Sequence, residues 1–439
     1  MAISPKRRAE VLDALRKGTV PQEGLDLLAV GLGRFEQTVD DELRRVSEGG
    51  SAFKAVRGDY GCGKTFFSRW LQQRARKFQF ATAEVQISET ETPLHKLESV
   101  YRRMLESLAT PSIRQGAFRS VIDAWFFALE EDVLSAGKVD ANDSAGLLEA
   151  TNRLMEQRLE GITRTAPAFS LALRGYRVAV ANGDRATADG LLAWLAGQPT
   201  VSANIKRTAN IKGDVDHFTA LSFLQALLVV LRDSGHPGLI LVLDEVETLQ
   251  RVRADAREKA LNALRQLIDE LDVGRFPGLY LLITGTPSFF DGPQGVQKLA
   301  PLAQRLHVDF ATDARFDNPR APQIRLKAFG HTEMMEVGQK VRTIFSDGCA
   351  SVDRVQRLAG DDLLNRLAEG VAGRLGGKTG VAPRLYLKKL VAEVLDRIEL
   401  YPDFDPHKDY QLTIREEEMT VEERNVAPAT SVDSIKLNL

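Results

Sequence analysis

Residues 58–65 read GDYGCGKT and fit the pattern G-x-x-x-x-G-K-[ST], with Gly58, Gly63, Lys64 and Thr65 at its fixed positions. Glycines let backbone N–H groups approach a phosphate closely, and a helix beginning at Gly63 adds a favourable dipole. In such a loop Lys64 reaches the β- and γ-phosphates and the Thr65 hydroxyl takes a Mg²⁺ ion. The candidate nucleotide-binding set is therefore Gly58, Asp59, Tyr60, Gly61, Cys62, Gly63, Lys64, Thr65 and Phe66. A pattern this loose also arises in a glycine turn before an ordinary helix, so partners elsewhere in the chain decide the reading.

Upstream, SAFKAVRG (51–58) reads as the strand that feeds the loop, although Lys54 and Arg57 make it polar for a buried strand. Downstream, TFFSRWLQQRARKF (65–78) places Phe67, Trp70, Leu71 and Arg74 at helical spacing, and FATAEVQI (80–87) reads as the next strand. The deciding partner is GLILVLDE (238–245), an apolar strand ending in two adjacent acids. Asp244 is placed to hold Mg²⁺, usually through water, and Glu245 to polarise an attacking water.

A fourth strand, in YLLITGTP (280–287), ends in small hydroxyl residues. If it lies between the loop-bearing strand and the acidic strand, Thr284 or Thr286 can sense the γ-phosphate or orient the water; a plain strand end with a proline turn explains it equally well. Phosphoryl transfer also benefits from a cation on the γ-phosphate, often from a neighbouring subunit. Arg305, Arg315 and Arg320 follow that strand; Arg305 is the first candidate to reach across from a neighbouring subunit and Arg320 the second, neither with an obvious partner in the sequence. Arg384 opens a later helix from which it can fold over the nucleotide. For each arginine but Arg384, a solvated or ion-paired surface side chain is at least as good a reading.

Around these motifs the organisation is α/β. Strands alternating with helices imply a parallel, helix-covered sheet, with ligands beyond the carboxyl ends of its strands. The expected divisions are a helical segment over 1–50, a nucleotide-binding core over 51–330 with a helical insertion at about 93–235, a helical region over 331–400 broken by GRLGGKTGVAPR (373–384), and a polar, partly disordered tail over 401–439. PQIRLKAF (322–329) is the fifth strand candidate. His307, Trp125 and Trp194 read as ordinary structural residues.

The 439 residues carry a formal net charge of −2, which gives no global argument for nucleic acid or membrane binding. The most apolar helical stretch, 220–231, is too short and too polar to span a bilayer. No secretory signal is legible, and two cysteines, Cys62 and Cys349, suit a reducing cytoplasm.

With GDYGCGKT, LVLDE, LLITGTP and GVAPR laid out, the chain resembles the AAA+ ATPases, in the branch near origin-recognition and loader-type proteins. More narrowly, RGDYGCGKTFF, GHPGLILVLDEVETL, REKALNALRQLIDE, PGLYLLITGTPSFF and APRLYLKKLV resemble the ATP-binding proteins of bacterial BREX phage-defence systems, the BrxD type in particular, from about residue 20 to 400. The resemblance implies an AAA+ (ASCE-type) core with a C-terminal helical lid, ATP and Mg²⁺ as cofactors, and Arg384 as a second sensor. It further implies VGLGRF (30–35), with Gly31 and Arg34, beside the adenine, and other defence proteins, including a DNA methyltransferase, as partners. No winged-helix segment follows the lid, so DNA contact, if made, is expected to be non-sequence-specific. The leading expectation is an oligomeric Mg²⁺-ATPase acting as a motor or switch on or near DNA. A nucleotide-gated scaffold with little turnover and a small-molecule phosphotransferase are the alternatives.

Overall fold

The computed structural model describes residues 3–137, 139–140, 142–163, 166–374, 383–419 and 424. Among the described residues, five strands form one parallel sheet: β1 (Ala52–Arg57), β2 (Ala81–Gln86), β3 (Leu239–Asp244), β4 (Leu279–Gly285) and β5 (Gln323–Arg325). Their order across the sheet is β2-β3-β4-β1-β5. β4 thus lies between the loop-bearing strand and the acidic strand, with Val56 opposite Thr284 and Leu243 opposite Ile283. β5 is shorter than its sequence suggests, pairing with β1 over three residues.

The period-two alternation of strands divides the core. Leu239, Leu241, Leu243, Leu279, Leu281 and Ile283 face one side, in a core shared with the helices between β2 and β3. Ile240, Val242, Tyr280 and Leu282 face the other, against the helices Gly33–Ser47 and Lys64–Lys77. The inserted helices run from Leu97 to Asp233. Trp125 and Trp194 are buried there, and each indole N–H finds an acceptor, Asp233 Oδ2 at 3.2 Å and Gly213 O at 3.0 Å. Both are core residues, as their helical setting suggests.

The polarity of β1 has a physical resolution. Lys54, only 2% exposed, pairs with Glu42 at 2.6 Å and donates to the carbonyls of Pro319 and Ala321 at 3.0 Å each. Arg57 pairs with Asp291, donates to Gln323 Oε1 and lies over the Phe310 ring. A buried cation is tolerable where charge and hydrogen bonds are both answered.

A second core forms away from the sheet. Val11, Leu12 and Leu15 of the helix Pro5–Lys17 pack with Val337, Val341, Leu364, Tyr386 and Leu390 of the C-terminal helices. The first helix therefore joins the C-terminal end of the chain, while the helix Gly33–Ser47 joins the sheet. Residues 401–419, expected as a polar tail, follow the same cluster: Phe404, Tyr410, Leu412, Ile414 and Met419 pack on it. Arg354 holds the carbonyls of Ile398, Tyr401 and Phe404, and Lys389, buried in a π-helical segment, binds both Glu418 oxygens at 2.9 Å. The break at 373–384 falls mostly in 375–382, outside the described residues, as do 420–423 and 425–439.

Glu42 also accepts from Tyr280 Oη at 2.6 Å, so it answers two buried groups. Glu42→Ala is expected to cost about 3 kcal/mol of unfolding free energy, read by urea denaturation, with much of it regained in Glu42→Leu/Lys54→Met. Equal stability of wild type and Glu42→Ala would contradict the pairing.

Candidate functional site

At the carboxyl end of β1 the chain turns through Gly58–Gly63 before the helix Lys64–Lys77. Gly61 and Gly63 take φ of 80° and 94°, a conformation open to glycine at no steric cost. Gly58 is required by space: a Cβ there would meet Cys62 Sγ at 2.3 Å. Gly63 offers the helix no side-chain cap, so the first-turn amides have no capping acceptor from it.

Those amides open onto a cavity of about 650 Å³. Its walls include Tyr60, Gly61, Cys62, Gly63, Lys64, Thr65 and Phe66 from the loop, and Asp244 and Glu245 from the end of β3. Gly31, Arg34 and Phe35 come from the N-terminal stretch, and Val337, Arg384 and Leu387 from the C-terminal helices. Sequence-distant segments thus meet around one space. Gly58 and Asp59 contribute their carbonyls, which accept from Lys64 Nζ at 2.9 and 3.3 Å. The ammonium also lies 5.0 Å from the centre of the Tyr60 ring.

Three neighbouring segments are joined by one carboxylate. Thr65 Oγ1 donates to Asp244 Oδ2 at 3.1 Å, and Thr284 Oγ1 of β4 donates to Asp244 Oδ1. The Glu245 amide donates to Thr284 Oγ1 at 3.1 Å. Glu245 itself sits at φ 60°, in the left-handed region, a strained setting for a non-glycine residue and one that clusters at functional sites. Its Oε2 accepts from Gln86 Nε2 at 2.9 Å. Thr286 is directed elsewhere: its hydroxyl pairs with Ser288 at 2.9 Å at the start of a short helix.

The arginines separate. Arg34 lines the cavity, but its guanidinium is engaged by the carbonyls of Ala314 and Arg325 at 3.0 and 2.8 Å and lies over Phe35. Arg384 also lines the cavity and donates to the Glu418 carbonyl. Arg315 is on the rim, paired with Asp313 at 3.1 Å. Arg305 and Arg320 line a different cleft of about 870 Å³, with Ala52 and Phe53 at the amino end of β1. That end is roughly 20 Å from the loop, at the usual strand rise. Arg305, which has no obvious partner in the sequence, is held within its own chain by Asp269 at 2.5 Å and Asp272 at 3.0 Å. Neither acid is near it in sequence; the fold brings them together.

Glu247 is absent from the sequence-derived set. It is 5% exposed, lines the same cavity and lies 3.8 Å from Lys64 Nζ. Burial pushes its carboxyl above the usual range, partly opposed by Lys64. The signal available was an acid two positions past Glu245, set between the apolar Val246 and, two positions on, Leu249.

A family model described as BREX system ATP-binding protein BrxC/D matches residues 3–414. The chain belongs to that family. No curated protein and no solved structure matches the chain. Membership carries ATP binding and a part in BREX phage defence, among the other proteins of that system. The residues present fit that ligand. A glycine cradle too tight for a Cβ, helix amides uncapped by Gly63 and a buried ammonium provide for phosphates, while Leu28, Val30, Phe35 and Phe329 give apolar wall for a base. Among the described residues no helix is long and apolar enough to cross a membrane.

The Gly58 cradle gives a direct test. Gly58→Ala is expected to lower ATP affinity by at least about tenfold, because the methyl and Cys62 Sγ exclude each other. Cys62→Ala in the same chain should restore much of it in equilibrium titration. Unchanged affinity in Gly58→Ala would contradict the close packing.

Proposed function

We propose that this protein is a Mg²⁺-dependent ATPase of AAA+ type that acts as a nucleotide-driven motor or switch in BREX defence. The observation that carries the reading is the hydrogen-bonded chain Thr65–Asp244–Thr284, with Glu245 tied to the same threonine, at the mouth of a cavity that also holds Lys64. A hydroxyl and a carboxylate that already meet at 3.1 Å suit a Mg²⁺ ion, which keeps several waters and takes its remaining ligands from nucleotide phosphates. The ion would neutralise charge on the transferring phosphoryl group.

The chain's own residues supply the rest. Lys64 leaves the loop carbonyls to meet the β- and γ-phosphates. Glu245 polarises the attacking water, Thr284 fixes the backbone from which Glu245 projects, and Arg384 reaches the nucleotide from the C-terminal helices. The strand order, with β4 between the loop strand and the acidic strand, supports the AAA+ assignment. In this reading 51–330 is the core, 93–235 its insertion, and 331–400 a lid to which the helix Pro5–Lys17 and the segment 401–419 belong.

Glu245→Gln should retain ATP while turnover falls by on the order of 10²–10⁴, whereas Lys64→Ala should lose ATP itself. Steady-state hydrolysis beside equilibrium binding checks both. Equal turnover in wild type and Glu245→Gln would remove Glu245 from that role, and ATP binding with negligible turnover in wild type would leave the scaffold reading, in which nucleotide gates partner recruitment.

The site is completed, we infer, by an arginine from a second copy. Arg320 is exposed, and Arg305 is held by two carboxylates, so Arg320 becomes the first candidate. Mixing Arg320→Ala with Lys64→Ala subunits should recover hydrolysis, because one interface then pairs an intact loop with an intact arginine. An arginine acting this way contributes up to about 10³–10⁵ in rate. Failure to recover, with a concentration-independent rate from monomers, would remove the shared site.

DNA contact in this account is electrostatic and sequence-tolerant, in keeping with the net charge of −2, which leaves any basic surface local. Binding should weaken steeply between 50 and 200 mM salt, with little preference among sequences. A footprint confined to one sequence at the higher salt would contradict it.

A further inference from the structure

Three carboxylates gather where β3 ends, and their hydrogen bonding sorts them. Asp244 accepts from Thr65 and Thr284. Glu245 accepts from Gln86. Glu247, more deeply buried than Glu245, has no hydrogen-bond partner on either oxygen among the described residues. An ionised carboxylate without hydrogen bonds in a protein interior is costly unless a counter-charge stands by.

That counter-charge is Lys64. An ammonium has three donors. Two of them are spent on the carbonyls of Gly58 and Asp59, and the carboxylate waits at 3.8 Å, within ion-pair reach but beyond a hydrogen bond. Both groups are over nine-tenths buried and both face the cavity. A nucleotide β-phosphate entering the loop competes for the same ammonium. As it does so, it leaves Glu247 with a weaker counter-charge and a like charge beside it.

We propose that Glu247 is a positioning residue that serves as the resident counter-ion of the empty phosphate loop. It holds the Lys64 ammonium directed into the cavity before nucleotide arrives, and it opposes every phosphate that Lys64 then binds. The consequence is selective weakening of ligands that carry a β-phosphate, which favours release of the diphosphate product. The inference rests on the phosphate-site reading of this cavity and adds to it a residue that sets affinity through Lys64.

The test compares ATP, ADP and AMP affinities of the full-length wild type, Glu247→Gln, Glu247→Met and Lys64→Ala by equilibrium titration, with displacement rates for ADP. Both neutral variants should bind ATP and ADP about tenfold more tightly, the effect of removing one repulsive charge at low effective dielectric. AMP affinity should not change, and ADP should leave more slowly. A merely structural role would alter all three nucleotides alike, and Met guards against an effect peculiar to the amide. Unchanged affinities, a uniform loss, or a gain that includes AMP would overturn the inference while ATP binding by wild type and its loss in Lys64→Ala keep the site reading intact. Absence of nucleotide binding by wild type would instead remove the site reading, and the inference with it.

Discussion

Asp244 is where the loop, the acidic strand and the strand between them are held in register. One oxygen takes the hydroxyl of Thr65 from the helix that follows the loop; the other takes the hydroxyl of Thr284 from β4. The carboxylate is 5% exposed, so these bonds act where water competes poorly. Parallel strand order sets the geometry: with β4 between β3 and β1, a hydroxyl at the end of β4 is the natural bridge between an acid on one neighbour and the glycine-rich loop on the other. Remove the acid, and the loop helix and the strained Glu245 turn lose their common anchor.

The helices at the two ends of the chain give the cavity its far wall. Leu15 and Gly18 come from the first helix and the turn after it, and Val337, Arg384 and Leu387 from the last ones. These helices share a core distinct from that of the sheet. Motion of one core relative to the other would therefore change the cavity directly, which is the mechanical content of the proposed switch. The segment 401–419 adds a brace. Glu418 binds Lys389 through its carboxylate and Arg384 through its carbonyl, so the arginine proposed to reach the nucleotide is also tied to the end of the described chain.

Much of this was legible because apolar runs and glycine spacing are local signals. The strands ending at Arg57, Asp244 and Gly285 could be read from composition, and Thr65, Asp244 and Thr284 from their positions at helix start and strand ends. What escaped depended on partners far away in sequence. Lys54 made β1 look too polar for a buried strand because Glu42 and the carbonyls of Pro319 and Ala321 were not visible beside it. Arg305 looked unpartnered because Asp269 and Asp272 lie on another helix. Residues 401–419 read as a polar tail because acids, with the run REEEM at 415–419, dominate the segment; the alternation of Tyr410, Leu412 and Ile414 is short, and the surface they pack on belongs to distant helices. Glu247 was passed over because an acid after a strand end is ordinary, and its isolation from hydrogen bonds is a property of the fold.

The central claim is that Thr65 and Asp244 hold a divalent ion against the nucleotide. Electron paramagnetic resonance of Mn²⁺, substituted for Mg²⁺ with ATP and the full-length protein, addresses it without relying on turnover. The account predicts protein-bound Mn²⁺ with phosphorus coupling in wild type, and its loss in Asp244→Asn and Thr65→Val at matched ATP occupancy. Undiminished protein-bound Mn²⁺ with the same coupling in both variants would contradict it.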